Sequence, residues 1–315
     1  AAGSLLLLGG RAHAQTYPDR LIKLIVPFPA GGTLDVAGRV IGDQLSRQLG
    51  QAVVIDNRGA ANGIPGTDAV AKSAPDGYTL LLVTPSFIVN QLVHKKLPYD
   101  PLRDFTPITD TGRGTGYMVV VPAALPVRTI DEFAKASQAA GANWHFSSPG
   151  FGNALHLAGE IFAVRTGAKI GHVPYRGVAP AVTALVANEV QLSIMPPLAA
   201  LDLAKSGSIR AIAFTGRART AELPDVPTVT EAGHPDLVMD GAWHGLFGPA
   251  GMPRPVVDRI YTEVRKALAT PRVIETLTKG GFNVGGMPPD AFARSVADDM
   301  ERYAGWVAAA KVERK

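Results

Sequence analysis

Short apolar segments alternate with longer segments that carry one apolar face along most of this 315-residue chain. LIKLIVPF (21–28) and QAVVIDN (51–57) read as buried strands, and the residues between them repeat apolar side chains at helical spacing. A further helix pattern (63–74) and a strand pattern, DGYTLLLVTP (76–85), follow. Such a β-α-β-α-β series predicts a parallel sheet with right-handed crossovers.

The same alternation restarts at about Tyr117 and continues to about Pro235, which predicts a second α/β unit. Three helix patterns complete the chain, the last of them PDAFARSVADDMERYAGWVAAAK (289–311). The chain is long enough for two units of ordinary size, each with its own core.

The first residues have a different character. AAGSLLLLGG is a short apolar segment, and Ala12-His13-Ala14 fits the small-x-small cleavage pattern of a secretory signal peptide. We therefore interpret residues 1–14 as a signal peptide remnant and expect an exported, periplasmic protein. No later apolar run approaches the length of a membrane span.

Composition excludes several classes of function. The chain has no cysteine, so disulfides, thiolate catalysis and cysteine zinc sites are absent. The net charge is only +4 and the Lys and Arg residues are scattered, which argues against nucleic-acid binding. The seven histidines show no H-E-x-x-H spacing, and we predict neither a metal nor a cofactor.

The first candidate site is VPFPAGGTLD (26–35), where a strand ends in a glycine loop that opens directly into a helix. Gly31 and Gly32 allow close approach of a ligand to the backbone, and Thr33 is a potential cap. Asp35 lies in the first helical turn, where it favours the helix dipole or contacts a polar ligand group. A helix N-terminus of this kind attracts anions, although a plain strand-helix turn has the same pattern.

A second junction, HFSSPGFGNALHLAGE (145–160), places Ser147, Ser148 and Gly152 before a helix that begins near Asn153. His156 lies in its first turn. Hydroxyl groups, bare amides and a helix N-terminus again converge. A nucleophilic serine is the alternative interpretation, but the G-x-S-x-G elbow is missing.

Two further junctions have the same form. HVPYRGVAPA (172–181) ends a strand at Tyr175 and places Gly177 before a helix, and VTPSFIVNQ (83–91) offers Ser86 and Phe87. In open parallel sheets ligands lie beyond the carboxyl ends of the strands, so we expect a cleft there that is lined with N–H donors. Such a cleft suits a carboxylate; phosphate also fits, but no P-loop motif is present.

At this point the chain resembles the Bug family, the periplasmic solute receptors of tripartite tricarboxylate transporters. The resemblance extends over essentially the whole chain after residue 14 and is carried by segments in the family's order: YPDRLIKLIVPFPAGGTLD, LPYDPLRDFTPIT, HVPYRGVAPAVTALVANEVQLSI, ELPDVPTVTEAG and WHGLFGPAGMPRPVVDRI. It implies a two-domain α/β periplasmic binding protein (type II, Venus-flytrap) with a ligand cleft between the domains. Domain 1 would comprise residues 15–115 and 240–315, domain 2 residues 116–239, and two crossover segments would act as a hinge.

The resemblance also implies that the first two junctions act as pincers whose amides and ordered water hold one carboxylate. The ligand-binding residues it implies, together with those of the four junctions, are Phe28, Ala30, Gly31, Gly32, Thr33, Asp35, Ser86, Phe87, Ser147, Ser148, Gly152, Asn153, His156, Tyr175 and Gly177. Asn153 departs from the small hydroxyl residue that the family more often carries. Phe87, Trp243 and His244 are candidates for the distal end of the ligand, with core packing as the alternative.

The function implied is capture of a small organic carboxylate, with a di- or aromatic carboxylate expected, and delivery to membrane permease subunits. We expect no enzymatic activity and a monomer. A sensory receptor of the same fold is an alternative, and a secreted hydrolase that uses Ser148 and His156 is a more remote one.

Overall fold

Two β-sheets, each covered by helices on both faces, form the part of the chain that the computed structural model describes, residues 17–315. The expected signal segment, residues 1–14, lies outside the described residues. The strands in chain order are β1 (Ile22–Val26), β2 (Val53–Asn57), β3 (Thr79–Val83), β4 (Phe105–Gly114), β5 (Met118–Pro122), β6 (His145–Ser148), β7 (Gly171–Pro174), β8 (Leu192–Met195), β9 (Ile209–Phe214), β10 (Trp243–Pro249) and β11 (Phe282–Val284).

The helices begin mostly where a strand of the same unit has just ended. In chain order they are α1 (Thr33–Leu49), α2 (Ile64–Ala71), α3 (Ser86–Val93), α4 (Ile130–Ala140), α5 (Ala154–Thr166), α6 (Val178–Val186), α7 (Pro197–Lys205), α8 (Arg254–Leu268), α9 (Pro271–Lys279) and α10 (Pro289–Ala309). Gly50 ends α1 in the left-handed conformation, with φ of 65°, as its position after the last apolar residue predicts.

The first sheet has the strand order β11-β4-β10-β3-β1-β2. Strands β1, β2 and β3 are parallel, which confirms the prediction for the start of the chain. The sheet as a whole is mixed, because β10 and β4 add antiparallel strands. The pattern did not reveal β4, β10 or β11, since β4 and β10 contain prolines and glycines and β11 has only three residues.

The second sheet has the order β7-β6-β8-β5-β9, with β6, β7 and β8 parallel and β5 antiparallel to both neighbours. Alternate residues of β5 face opposite sides of this sheet. Val119 and Val121 pack with Phe133 and Phe146 on one side, while Met118 packs in a separate core on the other. The described residues thus confirm a two-sheet α/β fold.

We call the part built on the first sheet the first unit and the part built on the second sheet the second unit. The chain passes between them at residues 115–117 and again within 215–242. Helix α10 lies against both, since Trp306 packs on a core of each unit. The domain limits expected from the sequence stay a proposal.

Candidate functional site

A cleft of about 590 Å³ lies between the two units and is lined by residues of both. This volume is within the range typical of small-molecule sites, roughly 300–1,000 Å³. The cleft runs along the carboxyl ends of the parallel strands in both sheets, where open α/β sheets bind ligands.

Along the first sheet, the cleft-lining residues follow the strand order. The loop after β1, residues 28–35, forms one end, and Ser86 after β3 comes next. His244 at the start of β10, Gly114 at the end of β4 and Phe282 at the start of β11 continue the same wall. The wall therefore extends across five neighbouring strands.

The second unit supplies the opposite wall. Pro149 and Asn153 follow β6, Gly177 follows β7, and Pro197 follows β8. The two walls meet at both ends of the cleft. A Cβ atom placed on Gly281 would lie 2.8 Å from Cγ of Pro197, so the units are in close contact there.

Five helices, α1, α3, α5, α6 and α7, begin at this cleft. A helix N-terminus carries the equivalent of roughly half a positive charge and several N–H groups without intrahelical acceptors. Among these five helix starts only α5 has a side-chain cap, in which Asn153 Oδ1 accepts the N–H of Leu155 at 2.9 Å. At α3 the N–H groups of Phe87 and Ile88 already donate to backbone carbonyls at 3.0 Å, and α7 starts with Pro197. Among the described residues, the first amides of α1 and α6 have no such acceptor. The cleft is therefore suited to an anion.

The loop after β1 is held in shape by Asp35. Its Oδ2 accepts the N–H of Gly31 at 2.9 Å and Nε–H of Arg39 at 2.9 Å, and its Oδ1 accepts an N–H of Asn57 at 3.0 Å. Burial opposes the charged form, but these hydrogen bonds outweigh it and lower the pKa of the Asp35 carboxyl. Asp35 thus lines the cleft as a brace of the loop, and the Gly31 amide is already engaged.

An amide network joins the two units beside this loop. Asn153 Nδ2 donates to Asn62 Oδ1 at 3.2 Å, and Asn62 Nδ2 donates to Asn90 Oδ1 at 2.8 Å. Asn90 in turn donates to the hydroxyl of Tyr99 at 3.2 Å. The side chain that caps α5 in the second unit therefore also binds the first unit.

The structure brings nine of the fifteen residues predicted from the sequence to the wall of the cleft: Phe28, Ala30, Gly31, Gly32, Thr33, Asp35, Ser86, Asn153 and Gly177. The other six are not part of that wall: Phe87, Ser147, Ser148, Gly152 and His156 are buried behind it, and Tyr175 is half-buried. Direct contact with a ligand is not expected of these six in the conformation described.

Phe87 is a core residue of the first unit. It is 1% exposed and packs against the rings of Tyr99, Phe105 and Phe247. Ser86 and Phe87 are neighbours in the first turn of α3, so their side chains leave the helix in different directions. Ser86 faces the cleft and Phe87 faces the core.

The two serines are also turned inward. Ser147 Oγ donates to the carbonyl of Ala181 at 3.3 Å, and Ser148 Oγ lies 2.7 Å from Nε2 of His172. Both serines are fully buried. The histidine next to Ser148 is His172, which corrects the pairing with His156 considered from the sequence.

Gly152 and Tyr175 support the second wall. A Cβ atom on Gly152 would lie 2.8 Å from Cγ2 of Val93, so this glycine packs against the first unit and not into the cleft. The N–H of Tyr175 donates to the carbonyl of Ser148 at 2.8 Å and extends the pairing of β6 with β7.

His156, Glu160 and His172 form a cluster of metal-ligand types behind this wall, with candidate ligand atoms within 4.8 Å of one another. His156 Nδ1 accepts the N–H of Gly152 at 3.3 Å, which leaves the proton of a neutral ring on Nε2. That nitrogen lies 3.4 Å from Glu160 Oε1. The hydrogen bonds already use the atoms that a metal would need, so the cluster fits a loop support better than a metal site.

Burial controls the charge of the second histidine. Desolvation, followed by the proximity of His156 and Lys315, lowers the pKa of His172 to about 3. A neutral His172 is consistent with its short contact to Ser148.

The structure adds cleft residues that the junctions did not indicate, notably Tyr117, Pro197 and Phe282. Their position depends on the missed elements α7 and β11 and on the first crossing between units. Trp243 and His244, expected in a loop, begin strand β10. Since neighbouring strand residues face opposite sides, His244 lines the cleft while Trp243 is buried and donates to Asp299 Oδ2 at 2.6 Å.

Within residues 17–315, none of the helices combines the length and the apolar character needed to cross a membrane.

Comparison with known proteins places these features in a family. The family model described as "Tripartite tricarboxylate transporter family receptor" matches residues 37–311. Protein BugT of Bordetella pertussis is 36% identical over 296 residues, which cover 93% of this chain and 90% of BugT.

Two solved structures are similar over nearly their whole length. The periplasmic binding protein BugD superposes with a TM-score of 0.87 at 30% identity and covers 95% of this chain and 100% of its own. R. palustris Rpa4515 with adipate superposes with a TM-score of 0.90 at 32% identity, with the same coverage.

Proposed function

The chain belongs to the family of tripartite tricarboxylate transporter receptors, and we propose that it captures a small organic carboxylate in the cleft between its two units. The observation that carries this proposal is the convergence of the N-termini of α1 and α6, whose first amides have no acceptor among the described residues, on one cleft of about 590 Å³. The similar protein Rpa4515 was solved with adipate, a carboxylate, which supports the same class of ligand here.

The carboxylate would bind at the end of the cleft formed by the loop after β1. The first-turn amides of α1, from Thr33 onward, have no intrahelical acceptors. Asp35 holds the loop open by engaging Gly31 and Arg39 instead of approaching the ligand. Because Arg39 pairs with that carboxylate, its negative charge is offset and opposes an anion less at this loop.

Closure of the two units would complete the site. Asn153 and Gly177 of the second unit line the cleft opposite Gly32 and Pro29. The chain crosses between the units twice, which is the connection that hinge closure around a ligand requires.

The position of the Ser148 hydroxyl favours ligand binding over catalysis. Ser148, the one serine beside a histidine at the second junction, is fully buried and hydrogen-bonded within its own loop. A nucleophile must reach a substrate carbonyl, and Ser148 does not line the cleft.

The family role supports delivery of the ligand to membrane permease subunits. The periplasmic relatives support a periplasmic location, reached through the signal segment expected in residues 1–14. We expect the receptor to act as a monomer.

Thermal unfolding of the chain from Gln15 onward tests the proposal against a panel of mono-, di- and tricarboxylates, aromatic acids included. A ligand present at a hundred times its dissociation constant adds about 2.7 kcal/mol to the free energy of unfolding. We expect a higher midpoint with a few related acids. If every acid leaves the midpoint at the value of matched salt, the proposal is wrong.

A further inference from the structure

We propose that the end of the cleft beside β10 and β11 receives an uncharged hydrogen-bonding group, so that the preferred ligand is a monocarboxylate with an apolar body and a distal hydroxyl or carbonyl. This inference rests on the proposed function, since it assumes that the carboxylate occupies the loop after β1. The side chains at the end of the cleft beside β10 and β11 determine which class of acid fits.

The order of strands sets the distance between the two ends. From β1, where the carboxylate loop begins, the wall passes β3 and reaches β10, and neighbouring strands are roughly 4.8 Å apart. A ligand that extends from the loop to His244 therefore spans about 10 Å, two strand spacings. A six-carbon acid or a para-substituted benzoate has the required length.

Two polar side chains along this path have unused hydrogen-bonding atoms. Ser86 and His244 line the cleft and are each 1% exposed. Within residues 17–315, neither Ser86 Oγ nor His244 Nδ1 has a hydrogen-bond partner. Buried polar atoms are normally paired, so these two indicate polar groups of a bound molecule.

His244 would meet such a group as a neutral ring. Full burial lowers its pKa to about 3, so the imidazole is uncharged at neutral pH. Its ring lies 4.1 Å from the ring of Phe282, with 35° between the planes. A neutral imidazole pairs with a hydroxyl or carbonyl, and it provides no positive charge for a second carboxylate.

Among the described residues that line this end of the cleft, no lysine or arginine is placed to neutralise a second carboxylate. Among the described residues that line the cleft, Arg176 is the only lysine or arginine. It is exposed and follows β7, an edge strand of the second sheet, whereas the wall facing β11 is built after β8.

The helix that begins at this end is also poor in donors. Helix α7 follows Pro196 and starts with Pro197, and neither residue has a backbone N–H. The N–H of Ala199 already donates to the carbonyl of Pro196 at 3.0 Å. The N-terminus of α7 therefore offers fewer amides than that of α1, which starts with Thr33.

The remaining contacts at this end are apolar. Phe282 lies on one wall, and Pro197 and Leu198 lie on the other. These apolar side chains would surround the distal group where it meets His244, and the ligand body would pass Ser86 on its way from the loop after β1. A second carboxylate would instead lose its hydration without a counter-charge.

Calorimetric titration of the full chain with six acids tests the proposal. The first series is 6-hydroxyhexanoate, hexanoate and adipate, and the second is 4-hydroxybenzoate, benzoate and terephthalate. In at least one series we expect the hydroxy acid to bind at least tenfold more tightly than both the unsubstituted acid and the dicarboxylate.

Variants at His244 connect that preference to the proposed contact. His244→Leu should reduce the preference for the hydroxy acid over the unsubstituted acid to less than threefold. His244→Gln retains a hydrogen-bonding side chain and should keep most of the preference. Circular dichroism confirms that each variant is folded.

The outcomes separate this inference from the proposed function. Tighter binding of adipate or terephthalate, or a preference that His244→Leu leaves unchanged, overturns the inference while carboxylate capture stands. The same holds if none of the six acids binds but another acid of the thermal panel does. Absence of binding by every carboxylate overturns both.

Discussion

Gly32 shows how one residue combines a structural and a functional requirement. It is the N-cap of α1 with φ of −77°, an angle that any residue adopts, and a Cβ atom placed there would meet only the carbonyl of Pro29 at 3.8 Å. Gly31, in contrast, has φ of 85° and depends on glycine for its conformation. A side chain at position 32 would therefore enter the cleft without disturbing the fold.

Gly32→Val should abolish carboxylate binding, because the added side chain occupies the space that the ligand needs beside the first amides of α1. We expect at least a hundredfold loss of affinity by calorimetric titration and a decrease of no more than about 1 kcal/mol in the free energy of unfolding, because valine caps a helix less well than glycine. Gly305→Val is the matched control, since Gly305 is exposed on α10 and its Cβ direction is open. Equal affinity of the Gly32 variant and the control would show that the ligand binds elsewhere.

The buried histidines make stability depend on pH in a definite direction. Desolvation lowers the pKa of His172 to about 3 in the folded state, whereas an unfolded histidine titrates near 6.5. The unfolded state therefore binds more protons below about pH 6.5, and the free energy of unfolding falls as the pH decreases. Above that pH the contribution of His172 is constant.

His172→Gln should reduce this pH dependence, because it removes one of the groups that take up a proton on unfolding. Each such group contributes up to about 1.4 kcal/mol per pH unit. Chemical denaturation between pH 7.5 and 5.5 measures the slope in the wild type and in the variant. Identical slopes would mean that His172 binds its proton equally well in the folded and unfolded states, and that burial does not lower its pKa.

Helix α5 illustrates what a cap contributes beyond its own helix. Asn153 accepts the N–H of Leu155 and also donates to Asn62 of the first unit. The sequence identified Asn153 as a departure from the small hydroxyl residue expected there, but the partner on the first unit could not be predicted. Asn62 is 91 residues away and adopts a left-handed conformation, with φ of 52°.

Asn153→Ala should lower the free energy of unfolding by about 1 kcal/mol, the usual effect of losing an N-cap. Asn153→Ser should recover most of that loss, because serine caps helices well but does not reproduce the bond to Asn62. Chemical denaturation gives both values. If the serine variant is as unstable as the alanine variant, the bond between units, and not the cap, provides the stability.

Helices and strands with a clear apolar pattern in their own sequence could be predicted, and those without one could not. Strand β3 has four consecutive apolar residues, β1 is apolar except for Lys23, and α1 and α10 have long apolar faces, so their patterns were sufficient. Strand β10 has two glycines and a proline and owes its place to pairing with β3 and β4. His244 and Phe282 reach the cleft through β10 and β11. The end of the cleft beside these strands could therefore not be predicted from local sequence patterns.

The end of the cleft at the loop after β1 could be predicted because it consists of loops that follow recognisable strands. What the pattern could not give was the direction of side chains within a junction. Ser86 faces the cleft and Phe87 the core, and Ser148 turns toward His172 behind the wall. These directions depend on packing with residues distant in the sequence.

The arrangement of the two units affects ligand affinity through their contacts at the ends of the cleft. Asn62 of the first unit links Asn90 with Asn153 of the second. A contact between units that forms on closure favours the closed state, and it raises the apparent affinity of any ligand that binds that state.

Asn62→Gly should weaken carboxylate binding about fivefold, which corresponds to one hydrogen bond of about 1 kcal/mol. Glycine suits the left-handed conformation at this position, so the loss is confined to two side-chain hydrogen bonds, to Asn153 and to Asn90, of which only the first joins the units. The matched control is Asn188→Gly, since Asn188 has φ of 59° and is exposed on the second unit. If both variants bind as the wild type does, the contact does not contribute to closure.

The most direct test of carboxylate capture is amide nuclear magnetic resonance of the ¹⁵N-labelled chain, titrated with the acid that most raises its unfolding midpoint. We predict the largest shift changes at the amides of residues 32–35 and 153–155, on opposite walls of the cleft. Unchanged signals there, with shifts confined to the separate surface pocket around Lys95 and Arg103, would contradict the account.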